Sequence, residues 1–375
     1  MKVIIAPDKF KGSLTSAEVC NAIAQGIKIT DEKIDVHYFP MADGGDGFAA
    51  VMQYYKQTQT VYCTTVDPLQ RTINAPYQWD PVSKTAIIEL AAASGLVLLQ
   101  PQERNPMKTS SYGTGLLVKD AIGKGAEKII LGICGSATND AGMGVLSALG
   151  FIFIDSNDKS ITASGENLIS IKKIIPPAVL PVVQFEMACD VDNVLYGPQG
   201  AAFVYAPQKG ATKEQVALLD KGLQHFAAIT ALQTNINTAH KKGMGAAGGI
   251  AAGFAPFLQT TLKQGTQIVI EASNIKNSIQ GADLIITGEG KIDGQSKDGK
   301  LISSITALAK QYSIPVIGLC GSLELNIAEI KELGLDYAYA IRSDSFSLEY
   351  SIQNAAELLS EEAARIISFF CSIKN

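Results

Sequence analysis

The sequence predicts an α/β protein in which short apolar strands alternate with helices. The clearest signals lie at the two chain ends, where strands at residues 3–6, 283–287 and 315–320 are separated by helical patterns. Strands separated by single helices pair in parallel, with helices on the faces of the sheet. The middle of the chain instead mixes strands with long glycine-bearing loops. We therefore expect a doubly wound, flavodoxin- or Rossmann-like domain built from residues 1–72 and 287–375, and an inserted mixed α/β domain of residues 73–286.

The terminal domain is predicted from local signals. After the first strand, Thr15 and Glu18 have the spacing of a capping box, which opens a helix with Val19, Ile23 and Ile27 on one face. Towards the other end, a strand is expected near residues 337–341. It precedes a helix whose apolar side runs from Leu358 to Phe370.

The middle of the chain carries its own strand and helix signals. Four β-rich segments are expected, at residues 60–66, 84–90, 128–133 and 151–154. Thr212 and Gln215 form a second predicted capping box, and the helix that follows has Val216, Leu219, Leu223 and Phe226 on one side. These segments support the inserted α/β domain.

Composition narrows the class of protein. The chain has 375 residues, 47% of them hydrophobic and 18% charged, which favours a large buried core over disorder. A net charge of -5 disfavours a nucleic-acid partner. No uncharged stretch reaches the roughly 20 apolar residues that cross a bilayer, and the six cysteines form no Cys-x-x-Cys. We therefore expect a cytoplasmic protein with no membrane or nucleic-acid partner; the oligomeric state stays open.

The first candidate site is the glycine-rich turn of residues 42–47, ADGGDG, which precedes a predicted helix at residues 48–55. Amides of Gly44 and Gly45 could converge on an anion at the helix start. Asp43 and Asp46 could instead hold Mg²⁺, which prefers oxygen ligands. An acidic turn that merely caps the helix is the equally weighted structural alternative.

The second candidate is residues 135–144, GSATNDAGMG, which lie between a buried strand and a helical run. A strand, a glycine turn and a helix together point amides and hydroxyls at a phosphate or carboxylate. Ser136, Thr138, Asn139 and Asp140 give this turn more polar side chains than a simple connection needs. Function is therefore favoured over structure here.

The third candidate spans residues 287–293 and continues to Lys300. It is predicted as a glycine-rich loop just past a strand at residues 284–286, the end where ligands of open α/β sheets bind. Gly288 and Lys300 could meet phosphate, and Glu289 or Asp293 could act through a metal. A charged surface loop is the alternative.

The fourth candidate is Asp190, which follows the apolar residues 182–187. At a strand end it could accept the proton of a substrate hydroxyl, as the single carboxylate base of a phosphoryl transfer does. Asp192 and Asn193 are better suited to capping or turn roles. A turn role for Asp190 itself is equally open.

Common cofactor and nucleophile signatures are absent. The sequence has no Gly-x-x-x-x-Gly-Lys-Ser/Thr loop and no Gly-x-Ser-x-Gly elbow. A Gly-x-Gly-x-x-Gly occurs at Gly243, Gly245 and Gly248, but no strand is predicted before it. A dinucleotide site requires that strand, so the motif is discounted.

Six ordered motifs resemble the bacterial glycerate kinase family, which is distinct from the sugar kinases and the P-loop kinases. They span nearly the whole chain and are residues 6–14 (APDKFKGSL), 42–47 (ADGGDG), 135–140 (GSATND), 189–193 (CDVDN), 207–211 (PQKGA) and 288–293 (GEGKID). Four positions depart from the family pattern: Asp46 where Glu is common, Cys134 and Ala141 where Gly is common, and Lys291 where Arg is common.

The resemblance implies phosphorylation of D-glycerate by ATP and Mg²⁺, typically to 2-phosphoglycerate, in a cleft between two α/β domains. On this basis the nucleotide is assigned to Gly44, Gly45, Asp46, Ser136, Thr138, Asn139, Gly288, Glu289 and Lys300. The metal is assigned to Asp43 and Asp293, glycerate to Asp8, Lys209 and Arg104, and catalysis to Asp190 and Lys11.

Two other functions remain open from the sequence. A nicotinamide-dependent hydroxy-acid dehydrogenase would share the architecture and the small acidic substrate, although the missing fingerprint disfavours it. A non-enzymatic sensor of small metabolites would bind glycerate without forming ADP.

Overall fold

The computed structural model describes residues 1–297, 300–342 and 346–374, and within these it describes the backbone alone at residues 295, 297, 300, 373 and 374. The chain divides into two compact units. Unit 1 comprises Met1–Asp43, Ala50–Tyr55 and Thr266–Asn375, and unit 2 comprises Gly44–Ala49 and Lys56–Gly265.

The strands are, in chain order, β1 (Lys2–Ile5), β2 (Asp35–Tyr38), β3 (Gln59–Val66), β4 (Thr72–Asp80), β5 (Thr85–Glu89), β6 (Lys128–Gly132), β7 (Ile152–Ile154), β8 (Lys173–Ile175), β9 (Gln184–Ala188), β10 (Thr260–Lys263), β11 (Leu284–Ile292), β12 (Val316–Leu323) and β13 (Tyr337–Ala340).

The α-helices are, in chain order, α1 (Ser16–Thr30), α2 (Phe48–Tyr55), α3 (Ala91–Ser94), α4 (Tyr112–Gly123), α5 (Met143–Ala148), α6 (Ala201–Tyr205), α7 (Lys213–Thr234), α8 (Ile250–Phe254), α9 (Gly265–Ser273), α10 (Ile275–Ile279), α11 (Lys300–Lys310), α12 (Ile327–Glu332), α13 (Leu348–Gln353) and α14 (Ala355–Lys374).

Unit 1 is built on a five-stranded parallel sheet in the order β13-β12-β11-β1-β2. Strands from the two chain ends meet where Ile4 pairs with Ile285. Helices α1 and α14 cover one face over a core that includes Ile5, Ile23 and Leu359. The two helices approach so closely at Gly26 that a Cβ there would lie 2.0 Å from the carbonyl oxygen of Ser360. This parallel sheet confirms the predicted fold class.

Unit 2 contains a six-stranded mixed sheet in the order β10-β9-β6-β5-β4-β3. Strands β5, β6, β9 and β10 are parallel, and β3 and β4 complete the sheet as an antiparallel extension. Strands β7 and β8 form a separate antiparallel pair. The carboxyl ends of β6 and β9 lie side by side, since Gly132 pairs with Ala188. Two of the candidate loops therefore begin at neighbouring strand ends.

The two units divide the chain differently from the predicted boundaries at residues 73 and 286. Strand β3 pairs with β4 along eight residues from Gln59↔Trp79 to Val66↔Thr72, so it belongs to the sheet of unit 2. Helix α10 belongs to unit 1. Sequence patterns locate elements well, but the side of a boundary on which an edge strand lies depends on its pairing.

Local helix signals hold in the structure. Thr15 accepts a hydrogen bond from the Glu18 amide and closes a capping box on α1, and Thr212 does the same with Gln215 on α7. In the part of the chain that the structure describes, no helix has the length and apolarity required to cross a membrane.

Candidate functional site

The predicted site residues fall into two groups, one in each unit. Unit 1 holds Asp8, Lys11, Asp43, Gly288, Glu289, Asp293 and the backbone of Lys300, whose side chain lies outside the described residues. Unit 2 holds Gly44, Gly45, Asp46, Arg104, Ser136, Thr138, Asn139, Asp190 and Lys209. We describe each group within its own unit.

Asp8 is the most perturbed carboxylate of unit 1. It lies just past β1, where its amide donates to the Gly288 carbonyl at 2.8 Å. Its side chain is 9% exposed, and the Lys9 amide donates to Oδ1 at 2.7 Å. Burial, together with the negative charge of Asp43 and to a smaller extent that of Glu289, raises the pKa of Asp8 to about 7, although Lys9 opposes the shift. A cation near Asp8 would therefore stabilise the charged form of this carboxyl group.

Glu289 extends this acidic group. Burial raises the pKa of Glu289, and the charges of Asp43 and Asp293 add to the shift, against the Ser296 hydroxyl that donates to Oε1 at 2.6 Å. Asp293 forms an ion pair with Lys291, with 3.0 Å between the Lys291 Nζ and the Asp293 Oδ2. We call Asp8, Asp43, Glu289 and Asp293 the acidic group.

The predicted loop at residues 287–293 is a strand. Strand β11 continues to Ile292 and pairs with β12 as far as Leu323. Gly288 permits this pairing, because a Cβ there would lie 1.9 Å from the carbonyl oxygen of Leu319. Gly288 therefore has a packing role, and Glu289 is held on a sheet strand.

The acidic group fits Mg²⁺ by the chemistry of its donors, since it offers carboxylate oxygens near one another. Among the described residues no three acidic, histidine or cysteine side chains are close enough to form a complete cage. Mg²⁺ does not need one, because it commonly binds one or two carboxylates together with substrate phosphates and water.

Lys209 is the buried cation of unit 2. It lies in the short 3-10 turn Pro207–Lys209, and the residue is 3% exposed. Its Nζ donates to the Ser136 hydroxyl and to the Thr138 carbonyl, both at 2.7 Å. Burial lowers the pKa of Lys209 to about 7, although Asp140 opposes the shift. An anion beside this ammonium group would stabilise its charged form.

The loop around Lys209 has polar atoms that lack partners. Thr138 and Asn139 are fully buried, yet the Thr138 hydroxyl and both amide atoms of Asn139 have no hydrogen-bond partner among the described residues. The backbone of Arg104 packs against the turn that carries Lys209, since a Cβ at Gly210 would lie 2.2 Å from the Arg104 carbonyl oxygen, and the buried Arg104 Nε also lacks a hydrogen-bond partner among the described residues. Such groups are rare in folded proteins and commonly mark functional positions.

Ser136 and Lys209, assigned above to different ligands, form one hydrogen-bonded unit. The sequence separates them by more than seventy residues, whereas the structure places the Lys209 ammonium directly on the Ser136 hydroxyl. The Ser136–Asn139 loop and Lys209 therefore form one site, which we call the Lys209 loop site.

Asp140 has a structural role within this loop. Its Oδ2 accepts bonds from the amide and hydroxyl of Ser111, at 2.8 and 2.7 Å, and from the Gly144 amide at 3.1 Å. Its Oδ1 accepts from the Gly142 amide at 3.2 Å. Asp140 thus ties the start of α5 to the start of α4 and fixes the Ser136–Asn139 loop.

Asp190 lies just past β9, as predicted, beside Gly44. Its Oδ2 accepts from the Gly265 amide at 3.1 Å. A Cβ at Gly44, whose φ is +87°, would lie 3.4 Å from that oxygen and 3.0 Å from the Ala188 Cβ. The glycine therefore leaves room next to the Asp190 carboxylate. Nearby, Gly45 accepts from the Phe48 amide at the start of α2, and Asp46 is exposed.

Asp192 and Asn193 have the turn roles expected for them. Asp192 forms an exposed ion pair with Lys242 at 3.1 Å, and the Asn193 amide donates to the Gln199 carbonyl at 2.9 Å. Of the two nearby acids, Asp190 is thus the one at the strand end beside Gly44.

The discounted glycine motif has a packing role that was not predicted from the sequence. No strand precedes it. Gly248 packs so closely on Thr138 that a Cβ there would lie 2.3 Å from the Thr138 carbonyl oxygen, and the Ala141 amide donates a hydrogen bond to the Gly248 carbonyl. Gly245 similarly packs on Val194, with a Cβ 2.1 Å from its carbonyl oxygen. The segment thus supports both loops of unit 2. The density of glycines was the available signal.

The chain is similar to known proteins along nearly its whole length. The model of the glycerate kinase family matches residues 3–371. A glycerate kinase from Halalkalibacterium halodurans is 40% identical over 373 residues, covering 99% of this chain and 98% of the relative. A glycerate 2-kinase from Escherichia coli is 37% identical over 358 residues, covering 95% and 94%. A crystal structure assigned as glycerate kinase 2, from Salmonella typhimurium LT2, superposes with a TM-score of 0.87 at 37% identity and covers 100% of this chain and 99% of its own.

Proposed function

Because the chain belongs to the glycerate kinase family, we propose that it transfers the γ-phosphoryl group of ATP to D-glycerate and forms 2-phospho-D-glycerate. The family makes it a phosphotransferase with an alcohol acceptor. ATP, Mg²⁺ and the position of transfer are the parts that we add. The Escherichia coli relative is named a glycerate 2-kinase, which supports the 2-position.

The observation that carries the proposal is the Lys209 loop site. Glycerate is a small carboxylate, and a buried lysine with hydroxyl neighbours is suited to bind one without admitting bulk water. Lys209 donates to Ser136 and Thr138 and has a third N–H to offer a ligand. Because burial lowers the pKa of this lysine to about 7, a bound carboxylate would also restore its full charge. The backbone of Arg104 packs against the same turn, and its guanidinium is the proposed second cation of the site.

The acidic group of unit 1 is the proposed site of the nucleotide's metal. Asp43 and Asp293 would hold Mg²⁺ through carboxylate oxygens, and phosphate and water would supply the remaining ligands. When bound, the ion would neutralise charge on the phosphates of ATP. Before it binds, Asp8 holds a proton more readily than an ordinary carboxyl, because burial and the charges of Asp43 and Glu289 raise its pKa to about 7. Lys11 is proposed to bind phosphate in the same unit.

Asp190 is the proposed proton acceptor. In the transfer, the glycerate hydroxyl oxygen forms a bond to the γ-phosphorus while the bond from that phosphorus to the β–γ bridging oxygen breaks. The hydroxyl proton goes to Asp190, and ADP leaves with the bridging oxygen. The Gly265 amide at 3.1 Å holds the carboxylate in place, and Gly44 leaves room beside it.

The decisive experiment is a turnover assay with D-glycerate, ATP and Mg²⁺, followed by phosphorus NMR of the product. We expect ADP formation that depends on D-glycerate and a product resonance coupled to the proton at carbon 2. A parallel reaction with NAD⁺ should form no NADH. Binding of D-glycerate without ADP formation, or NADH production instead, would contradict the proposal. A product carrying phosphate at carbon 3 would contradict the assigned position alone.

A further inference from the structure

A small cavity lies within unit 1, at the carboxyl end of its parallel sheet. It has a volume of about 110 Å³. Its apolar walls and its two cations come from segments far apart in the chain, and they are Phe10, Lys11, Ile341, Arg342, Leu348 and Ile352. We call this cavity the Lys11–Arg342 slot. The carboxyl edge of a parallel sheet is where open α/β folds bind their ligands.

Two facing glycines make room for the slot. Gly290 on β11 and Gly321 on β12 both line it, and a Cβ at Gly321 would lie 2.5 Å from the Gly290 carbonyl oxygen. Side chains alternate between the faces of a strand, so Gly290 lies on the opposite face of the sheet from Glu289. The slot and the acidic group therefore occupy the same sheet edge on its two faces.

The slot's cations differ from the other charged residues near this edge. Lys291 is engaged by Asp293 and Glu324, each at 3.0 Å. Lys11 and Arg342 are exposed, and neither has an ion-pair partner within the described residues. Two uncompensated cations beside a largely apolar cavity favour a ligand that has both an anionic part and an apolar part.

The size of the slot limits what it encloses. Whole ligands occupy sites of about 300–1,000 Å³, so a cavity of about 110 Å³ has room for one moiety of a larger molecule. We propose that the slot holds the purine ring of the nucleotide, with Lys11 and Arg342 against its phosphates. The phosphate chain then passes over the strand ends towards the acidic group. This inference rests on the proposed function, and it assigns nucleotide contacts to Arg342, Leu348 and Ile352.

The test measures the binding of three probes by titration calorimetry: ADP, adenosine and inorganic tripolyphosphate. Lys11→Met and Arg342→Met should each weaken ADP and tripolyphosphate at least tenfold and change adenosine less than twofold. Ile352→Ser and Leu348→Ser should weaken ADP and adenosine about fivefold and leave tripolyphosphate unchanged. Lys33→Met, an exposed lysine of the same unit, is the matched control and should bind all three probes normally. Thermal unfolding of each variant verifies the fold.

Two results would overturn the inference. One is normal ADP affinity in all four slot variants. The other is loss of ADP binding in the cation variants while adenosine is unaffected by Ile352→Ser and Leu348→Ser, since the ring would then lie elsewhere. If the wild type phosphorylates glycerate while the slot variants keep a normal KM for ATP, only the slot assignment fails. If the binding pattern is obtained without any glycerate turnover, the slot stands and the proposed function fails.

Discussion

Each unit buries an ionisable group whose pKa is shifted towards neutrality, and these two groups have opposite charge signs. In unit 1, burial and neighbouring acids raise the pKa of Asp8 to about 7, and in unit 2 burial lowers the pKa of Lys209 to about 7. Removing a group from water disfavours its charged form whatever the sign, so an acid and a base converge on neutrality from opposite directions. Each then gains from a ligand of opposite charge.

We propose that this difference separates two recognition tasks. The parallel sheet of unit 1 carries carboxylates on β11 and after β1, which suits a cation that accompanies a polyphosphate. Unit 2 carries hydroxyls on the loop after β6 and a lysine in the turn after α6, a combination that suits a small carboxylate. The predictions below test this separation, beginning with the largest expected effect.

The first prediction concerns Asp190, the proposed base of unit 2. Asp190→Asn should lower kcat about 100- to 10,000-fold, the usual range for loss of a general base, with little change in the thermal midpoint. Asp192→Asn is the matched control, because it removes a neighbouring carboxylate that forms an exposed ion pair with Lys242. Steady-state kinetics of both variants decide the matter, and near-normal turnover in Asp190→Asn would exclude its role as base.

The second prediction separates the units by ligand. Lys209→Met should raise the KM for D-glycerate about 10- to 100-fold, since a hydrogen bond to a charged group contributes about 1.5–3 kcal/mol. The KM for ATP should stay within twofold. Lys213→Met is the control, because Lys213 is an exposed lysine of the same unit. A rise in the KM for ATP alone would assign Lys209 to the nucleotide and remove the contrast between the units.

The third prediction is the pH dependence of stability. Between about pH 4 and 7 the folded protein keeps a proton on Asp8 that the unfolded chain releases, so this group's contribution falls as pH rises. Between about pH 7 and 10.5 the unfolded chain keeps a proton that folded Lys209 releases, so stability rises with pH. Each slope is at most about 1.4 kcal/mol per pH unit.

Urea unfolding at several pH values, without added divalent cations, measures both slopes as differences between the wild type and a variant. Asp8→Asn should remove the descending contribution and Lys209→Met the ascending one. Parallel curves for the wild type and either variant would show that the corresponding group titrates normally.

The smallest expected effect compares identical chemistry in the two units. Thr15→Ala and Thr212→Ala each remove an N-cap whose oxygen accepts a backbone amide at 3.3 Å. Each should lower the free energy of unfolding by about 1 kcal/mol, as measured by urea titration. Replacement of either threonine by serine should restore most of the loss. A much larger loss in one unit would reveal that its helix start has an additional role.

Features governed by local sequence were predictable. The capping boxes of Thr15 and Thr212 depend on residues three apart, and α2 begins at Phe48, directly after the glycine turn as expected. Asp190 is predicted at a strand end because a short, mainly apolar segment precedes it at residues 182–187. In each case the information lies within a few residues.

Features governed by tertiary pairing were not predictable. Gly288 and Gly290 disfavour a strand by their own propensity, yet β12 draws them into β11. Lys209 lies in a turn that reads as surface, and its burial depends on Ser136 and Thr138 from a distant loop. Arg342 stands alone after a strand, so nothing nearby in sequence links it to Lys11. These contacts exist only once the chain has folded.

The close contact between Gly26 and the Ser360 carbonyl has a consequence for how the protein folds during translation. Helix α1 and strand β1 leave the ribosome early, but their partners α14 and β11 follow only after the whole of unit 2 has been translated. Nascent unit 1 therefore exposes the apolar face of α1 throughout that interval, while unit 2 completes its sheet first. Chaperone demand during translation should consequently be concentrated on the amino-terminal segment.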